Sequence, residues 1–79
     1  MLQIIQVNKM AIELGLYRHY KGELYDVIGI AKHSETLEEL VVYKATYQPE
    51  GENLWVRPLS MFMGTLLIGG KETKRFTKL

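Results

Sequence analysis

The sequence predicts an all-β domain: a small antiparallel barrel of five or six strands, SH3-like, with an N-terminal strand or short helix appended. Three observations predict it. Apolar residues alternate with period two rather than 3.6 over most of the chain, the signature of strands. Turn residues recur between those runs at the short spacing of an antiparallel barrel or sandwich. Finally, 79 residues without a cysteine leave one small core and no disulfide to staple it. Closing a sheet on itself would also remove the free edges that invite aggregation.

Residues 1–14 read as an extension and residues 15–79 as the barrel. Leu2 to Val7 suits an edge strand, Lys9 to Leu14 a short helix before Gly15, and Met10 offers an alternative start. Leu16 to Tyr20 is the first barrel strand, closed by the turn Lys21-Gly22-Glu23. Leu24 to Ala31 follows, with Tyr25, Val27, Gly29 and Ala31 expected on one face. His33 to Glu39 reads as a loop or single turn, because Thr36 and Glu39 stand at capping-box spacing with no apolar helical run behind them. Leu40 to Tyr47 is rich in the β-branched and aromatic residues that suit a pleated surface. After the polar loop Gln48 to Asn53 comes Leu54 to Arg57, stopped by Pro58, which cannot donate to a ladder. Gly69-Gly70 separates Thr65–Ile68 from Glu72–Phe76 as a two-residue hairpin with positive φ at both turn positions.

Charge and hydropathy exclude several classes. The net charge is +1, yet residues 1–22 carry +2, residues 23–56 carry −5 and residues 57–79 carry +4. A dedicated nucleic-acid module is usually more basic than this, with a pI above about 9. The longest uncharged run, Pro58 to Gly70, is thirteen residues. A spanning helix needs about 20. The N-terminus has no basic region ahead of its apolar stretch, so no signal peptide and no membrane are expected and the default location is cytoplasmic.

Chemistry-bearing motifs are few. Ser34 follows His33, but neighbours on an extended chain point to opposite faces, and no Gly-x-Ser-x-Gly elbow is present. His19 and His33 lack metal-ligand spacing, so no metal site and no cofactor are expected. Gly70-Lys71 resembles the end of a phosphate loop, but Thr65 and Glu72 stand where a glycine and a hydroxyl are needed.

Three clusters remain. Tyr17-Arg18-His19-Tyr20-Lys21-Gly22 packs two tyrosines among cationic side chains. His33-Ser34-Glu35-Thr36 gathers polar groups on a loop; alternatively it is a polar turn bonding its own backbone. Leu54-Trp55-Val56-Arg57-Pro58 with Met61 and Phe62 crowds the residue types enriched at binding hot spots. The tyrosines, Trp55 and Phe62 could equally be core, in which case Trp55 would be a buried indole.

At these clusters the chain resembles a small bacterial domain-of-unknown-function family. The likeness rests on Tyr17 to Gly22, His33 to Tyr43 and Trp55 to Phe62, and spans Gly15 to Phe76. It implies no established activity and assigns no functional residue. Residues 1–9 extend beyond the expected start, while Gly64 and Thr73-Lys74 stand where such sequences tend to have an acid and a Val-Pro pair.

The expected function is a non-catalytic module with an anionic ligand, whether peptide, nucleotide or short RNA. Tyr17, Tyr20, Trp55 and Phe62 would form the floor. Arg18, Lys21, His33 and Arg57 would hold the anion, with Ser34, Glu35 and Thr36 beside them, and Arg18, His33 and Arg57 would share one concave patch. Two alternatives stand beside it. One is a small enzyme using His33 as general base with Arg18 or Arg57 holding an anion. The other is an interaction protein, monomeric until Leu66-Leu67-Ile68 pairs with a second copy.

Overall fold

Alternation and turn chemistry place seven strands and one helical turn in the computed structural model, which describes residues 12–79. They are β1 (Gly15–His19), β2 (Leu24–Lys32), β3 (Glu39–Ala45), β4 (Leu54–Pro58), α1 (Leu59–Phe62), β5 (Thr65–Ile68), β6 (Lys71–Lys74) and β7 (Phe76–Lys78). The expected strand at Leu2 to Val7 and the alternative start at Met10 lie outside the described residues. Of the expected helix at Lys9 to Leu14, the described part, Ile12 to Leu14, is not helical.

Strands β1 to β4 form a meander, and β7 returns to pair with β1, giving an antiparallel sheet ordered β4-β3-β2-β1-β7. Hairpin β5–β6 stands apart as a second sheet. Its turn is Gly69 and Gly70, at φ 58° and 79°, backbone that L residues with a Cβ rarely adopt.

The closed barrel expected from the pattern does not form. After β4 the chain detours through α1 and the hairpin. The returning β7 is three residues long and, among the described residues, pairs with β1 alone, so that β4 and β7 are the two edges of the described sheet. Those edges still meet through side chains: the guanidinium carbon of β4's Arg57 lies 5.6 Å from the centre of β7's Phe76 ring.

The inner face of the large sheet carries the core. Val27, Val41, Tyr43 and Ala45 from the central strands are buried there with Tyr17, Phe76, Ile12 and the Phe62 of α1. Each fully buried side chain of this size contributes about 1.5–3 kcal/mol. Pro58 starts α1 at φ −52° and needs no hydrogen-bond acceptor for its nitrogen. No side chain caps that turn, so Phe62 is what anchors it.

Strand β2 departs from simple alternation. Val27 pairs with Tyr43 and Gly29 with Val42, leaving Ile28 as an extra residue in a bulge. Beyond it the faces exchange, and Ile30 opposite Val41 points inward in place of the expected Gly29 and Ala31. The outer face keeps Leu16, Ile28, Leu54 and Val56 exposed. Among the described residues no helix is long and apolar enough to cross a membrane.

Candidate functional site

Five strands bring aromatic rings onto the inner face. Phe76 stacks on Phe62 at 4.1 Å and meets Tyr25 at 5.6 Å and Tyr43 at 5.9 Å. His19, directly opposite Phe76 in the β1–β7 register, packs edge-on against it at 5.0 Å. The hydroxyls of Tyr25 and Tyr47 lie 2.7 Å apart. Burial and that bond push the Tyr25 phenol well above its ordinary value.

Cations crown this floor. Arg57 donates from Nε to the Tyr43 hydroxyl at 3.4 Å, a long bond, and rests its guanidinium on Phe76. Arg75 sits at the corner between β6 and β7, and its Nε is buried with no hydrogen-bond partner. Neither guanidinium pairs with a carboxylate among the described residues, where Lys44 and Glu50 meet at 3.9 Å. Burial first, and then the charges of Arg57, Lys21 and Arg75, hold the His19 pKa below its usual 6.5, while Glu23 opposes them.

That depression fixes a sign for stability. Folding disfavours the imidazolium, so the unfolded chain binds more protons and stability falls as pH drops below 6.5. Denaturation midpoints followed down through that pH should decline more steeply in the wild type than in His19→Gln. Equal slopes would mean that His19 does not feel its neighbours.

The sequence-predicted residues divide into four groups. Trp55 and Arg57 reach the inner face beside Tyr43 and Val41, but Trp55 is 48% exposed and bonds Gln48 Oε1 at 2.8 Å, so it is not the core indole. Tyr17 and Phe62 meet at 5.3 Å inside the core and are both buried. Tyr20 packs on His19 at 4.5 Å with Lys21 above its ring.

Arg18 and the histidine loop are elsewhere. Arg18 pairs with Leu24 and Thr77, which puts it on the outer face, opposite to Arg57. The expected patch uniting Arg18, His33 and Arg57 therefore does not form. His33 accepts at Nδ1 from the Glu35 and Thr36 amides at 3.2 and 3.4 Å, and Thr36 Oγ1 accepts from the Glu38 amide. With Ser34 exposed and Leu37 at φ 64°, this is a polar turn that satisfies itself. Among the described residues no group of three or more His, Cys, Asp or Glu could hold a metal.

Two clefts flank the crown. One, of about 200 Å³, is lined by Tyr17, Phe62 and Phe76 with Lys74 and Lys78. The other, of about 290 Å³, gathers Arg18, His19 and Tyr20. Sequence reasoning missed Arg75, Tyr43 and Phe76 as site residues and left His19 without a role. The one available signal was that His19 shares the strand face of Tyr17.

Comparison with known proteins agrees with this architecture. The family description "protein of unknown function (DUF1653)" matches residues 15–78. The chain is similar to a protein of that family from Bordetella bronchiseptica, whose crystal structure superposes with a TM-score of 0.80 at 34% identity, covering 89% of this chain and 90% of that one. No curated protein matches the chain.

Proposed function

Because the chain belongs to the DUF1653 family, whose description names no activity, we propose from the geometry that it is a binding module that holds an anionic ligand at Arg57 and Arg75 above the inner-face aromatics. The observation that carries this is the pair of guanidiniums without acids. A buried, unsatisfied donor costs about 1–3 kcal/mol, more when charged. Both arginines are close enough to act on His19, and an anion held between Arg57 and the half-buried Arg75 side chain would balance both charges, in a charge-assisted geometry that arginine suits better than lysine.

Trp55, Tyr20 and Lys21 border this site as rim residues. Arg18, His33, Ser34, Glu35 and Thr36 have no part in it, and Tyr17 and Phe62 support it from below. A bound anion would also offset the repulsion that His19 feels, so binding should strengthen as pH falls.

The test is thermal stabilisation by inorganic phosphate, a carboxylate, a nucleotide, a short RNA and an acidic peptide. A ligand at a hundredfold excess over its dissociation constant should add about 2.7 kcal/mol. Arg57→Ala and Arg75→Ala should each weaken binding by about 1.5–3 kcal/mol. Stabilisation that persists unchanged in both variants, or none by any anion, would refute the reading.

A further inference from the structure

We propose that the ligand is an extended peptide carrying a carboxylate, which adds as a strand to the free edge of β4 and sets its acid against Arg57. This rests on the anion site above and names its ligand class.

Among the described residues strand β4 is an edge, with β3 on one side and no strand on the other. The Ala45 amide donates to the Asn53 carbonyl at 2.8 Å, and the register runs unbroken from Lys44–Leu54 to Leu40–Pro58. In an antiparallel ladder, residues two apart turn their backbone groups the same way. Asn53, Trp55 and Arg57 therefore face β3, and the N–H and C=O groups of Leu54 and Val56 face outward.

Natural edges of this kind are blunted by lysine, inward charge or a bulge. This one presents Leu54, Trp55 and Val56 in succession, all exposed, and its pairing with β3 has no bulge. Pro58 limits the docking length because it offers no N–H.

The exposed β5 edge is also apolar, with Leu67 and Ile68 exposed, but it has no cation on its own strand. On β4, Trp55 and Arg57 lie two residues apart on the inner face. An incoming strand therefore places one residue against Trp55 and another, two along, against Arg57. The unbalanced charge of Arg57 and Arg75 selects an acid at the second position and an apolar residue at the first. Opposite Leu54 and Val56, on the outer face, apolar residues fit. A nucleotide could meet the same guanidiniums, yet it would leave the outward groups of Leu54 and Val56 unpaired.

The experiment follows the backbone amides of the full chain by NMR while titrating a short blocked peptide of valines with a single glutamate near its middle. In parallel run the same peptide N-methylated on alternate residues, one such peptide for each phase, adenosine monophosphate, and inorganic phosphate. The expected result is slowed solvent exchange at the Leu54 and Val56 amides, with affinity lost by about tenfold or more in one N-methylated phase and in Arg57→Gln.

Binding that moves Arg57 and Arg75 but leaves Leu54 and Val56 unprotected, or that survives both N-methylated phases, overturns the strand while leaving the anion site standing. Binding of the nucleotide or phosphate without the peptide does the same. Leu54 and Val56 amides already protected in a dimer without peptide would assign the edge to a second copy and overturn the proposal. No response to any probe overturns both readings.

Discussion

Phe62→Ala is expected to cost about 3–5 kcal/mol, the range for emptying a large buried aromatic site. That is a large share of the about 4–12 kcal/mol available to a chain of this length. Phe62 is 1% exposed, stacks on Phe76 at 4.1 Å and touches Tyr17 and Tyr43 at 5.3 and 5.7 Å. It is also the one buried residue of a four-residue turn that has no side-chain cap. Removing it empties the centre of the aromatic cluster and frees α1 together. The melting temperature should fall by at least about 12 °C, at 4–8 °C per kcal/mol. Met61→Ala, in the same turn but exposed, should stay within about 0.5 kcal/mol. A Phe62→Ala variant that melts within a few degrees of the wild type would place the core elsewhere.

Val41→Asp should prevent folding altogether. Val41 is fully buried at the middle of β3, between Ile30 and Arg57 in the register. A carboxylate there must either lose its hydration or take up a proton, and each costs several kcal/mol. Arg57 lies in the adjacent strand, but its guanidinium is held over Phe76, so pairing would require its removal from the ring. The control is Val56→Asp on the exposed outer face of β4, which should cost about 1 kcal/mol through lost strand propensity. A one-residue slip in register would exchange these two outcomes. Circular dichroism and urea midpoints on the two variants would detect it.

Most of the strands were readable from two local signals. Alternation marks β2, β3 and β4, and glycine or proline closes almost every one. The helical turn α1 was not readable, since four residues are too few to show a period. Arg75 breaks what reads as one strand from Glu72 to Phe76, and that break lets β7 leave the hairpin and pair with β1. The face exchange in β2 had a signal in Gly29, because a glycine inside a strand often marks a bulge. Simple alternation overrode it.

The site was half readable. Trp55 and Arg57 stand out by residue type, and their spacing on a strand puts them on one face. His19, Tyr43 and Phe76 join them only through the order β4-β3-β2-β1-β7, a non-local property that no short window contains, and Arg75 stands at the corner that leads into β7. Arg18 and His33 carried the right chemistry at the wrong places. The intervening register sends Arg18 outward, and the loop amides occupy His33.

The central claim is that Arg57 and Arg75 form an anion site on the inner face. Its most direct test is the NMR signal of each arginine Nε–Hε group during titration with inorganic phosphate, in protein with assigned arginines. Arg57 and Arg75 are expected to shift together along one saturable curve. Arg18, on the outer face, should stay still. Saturable shifts at Arg18 while Arg57 and Arg75 remain unmoved would contradict it.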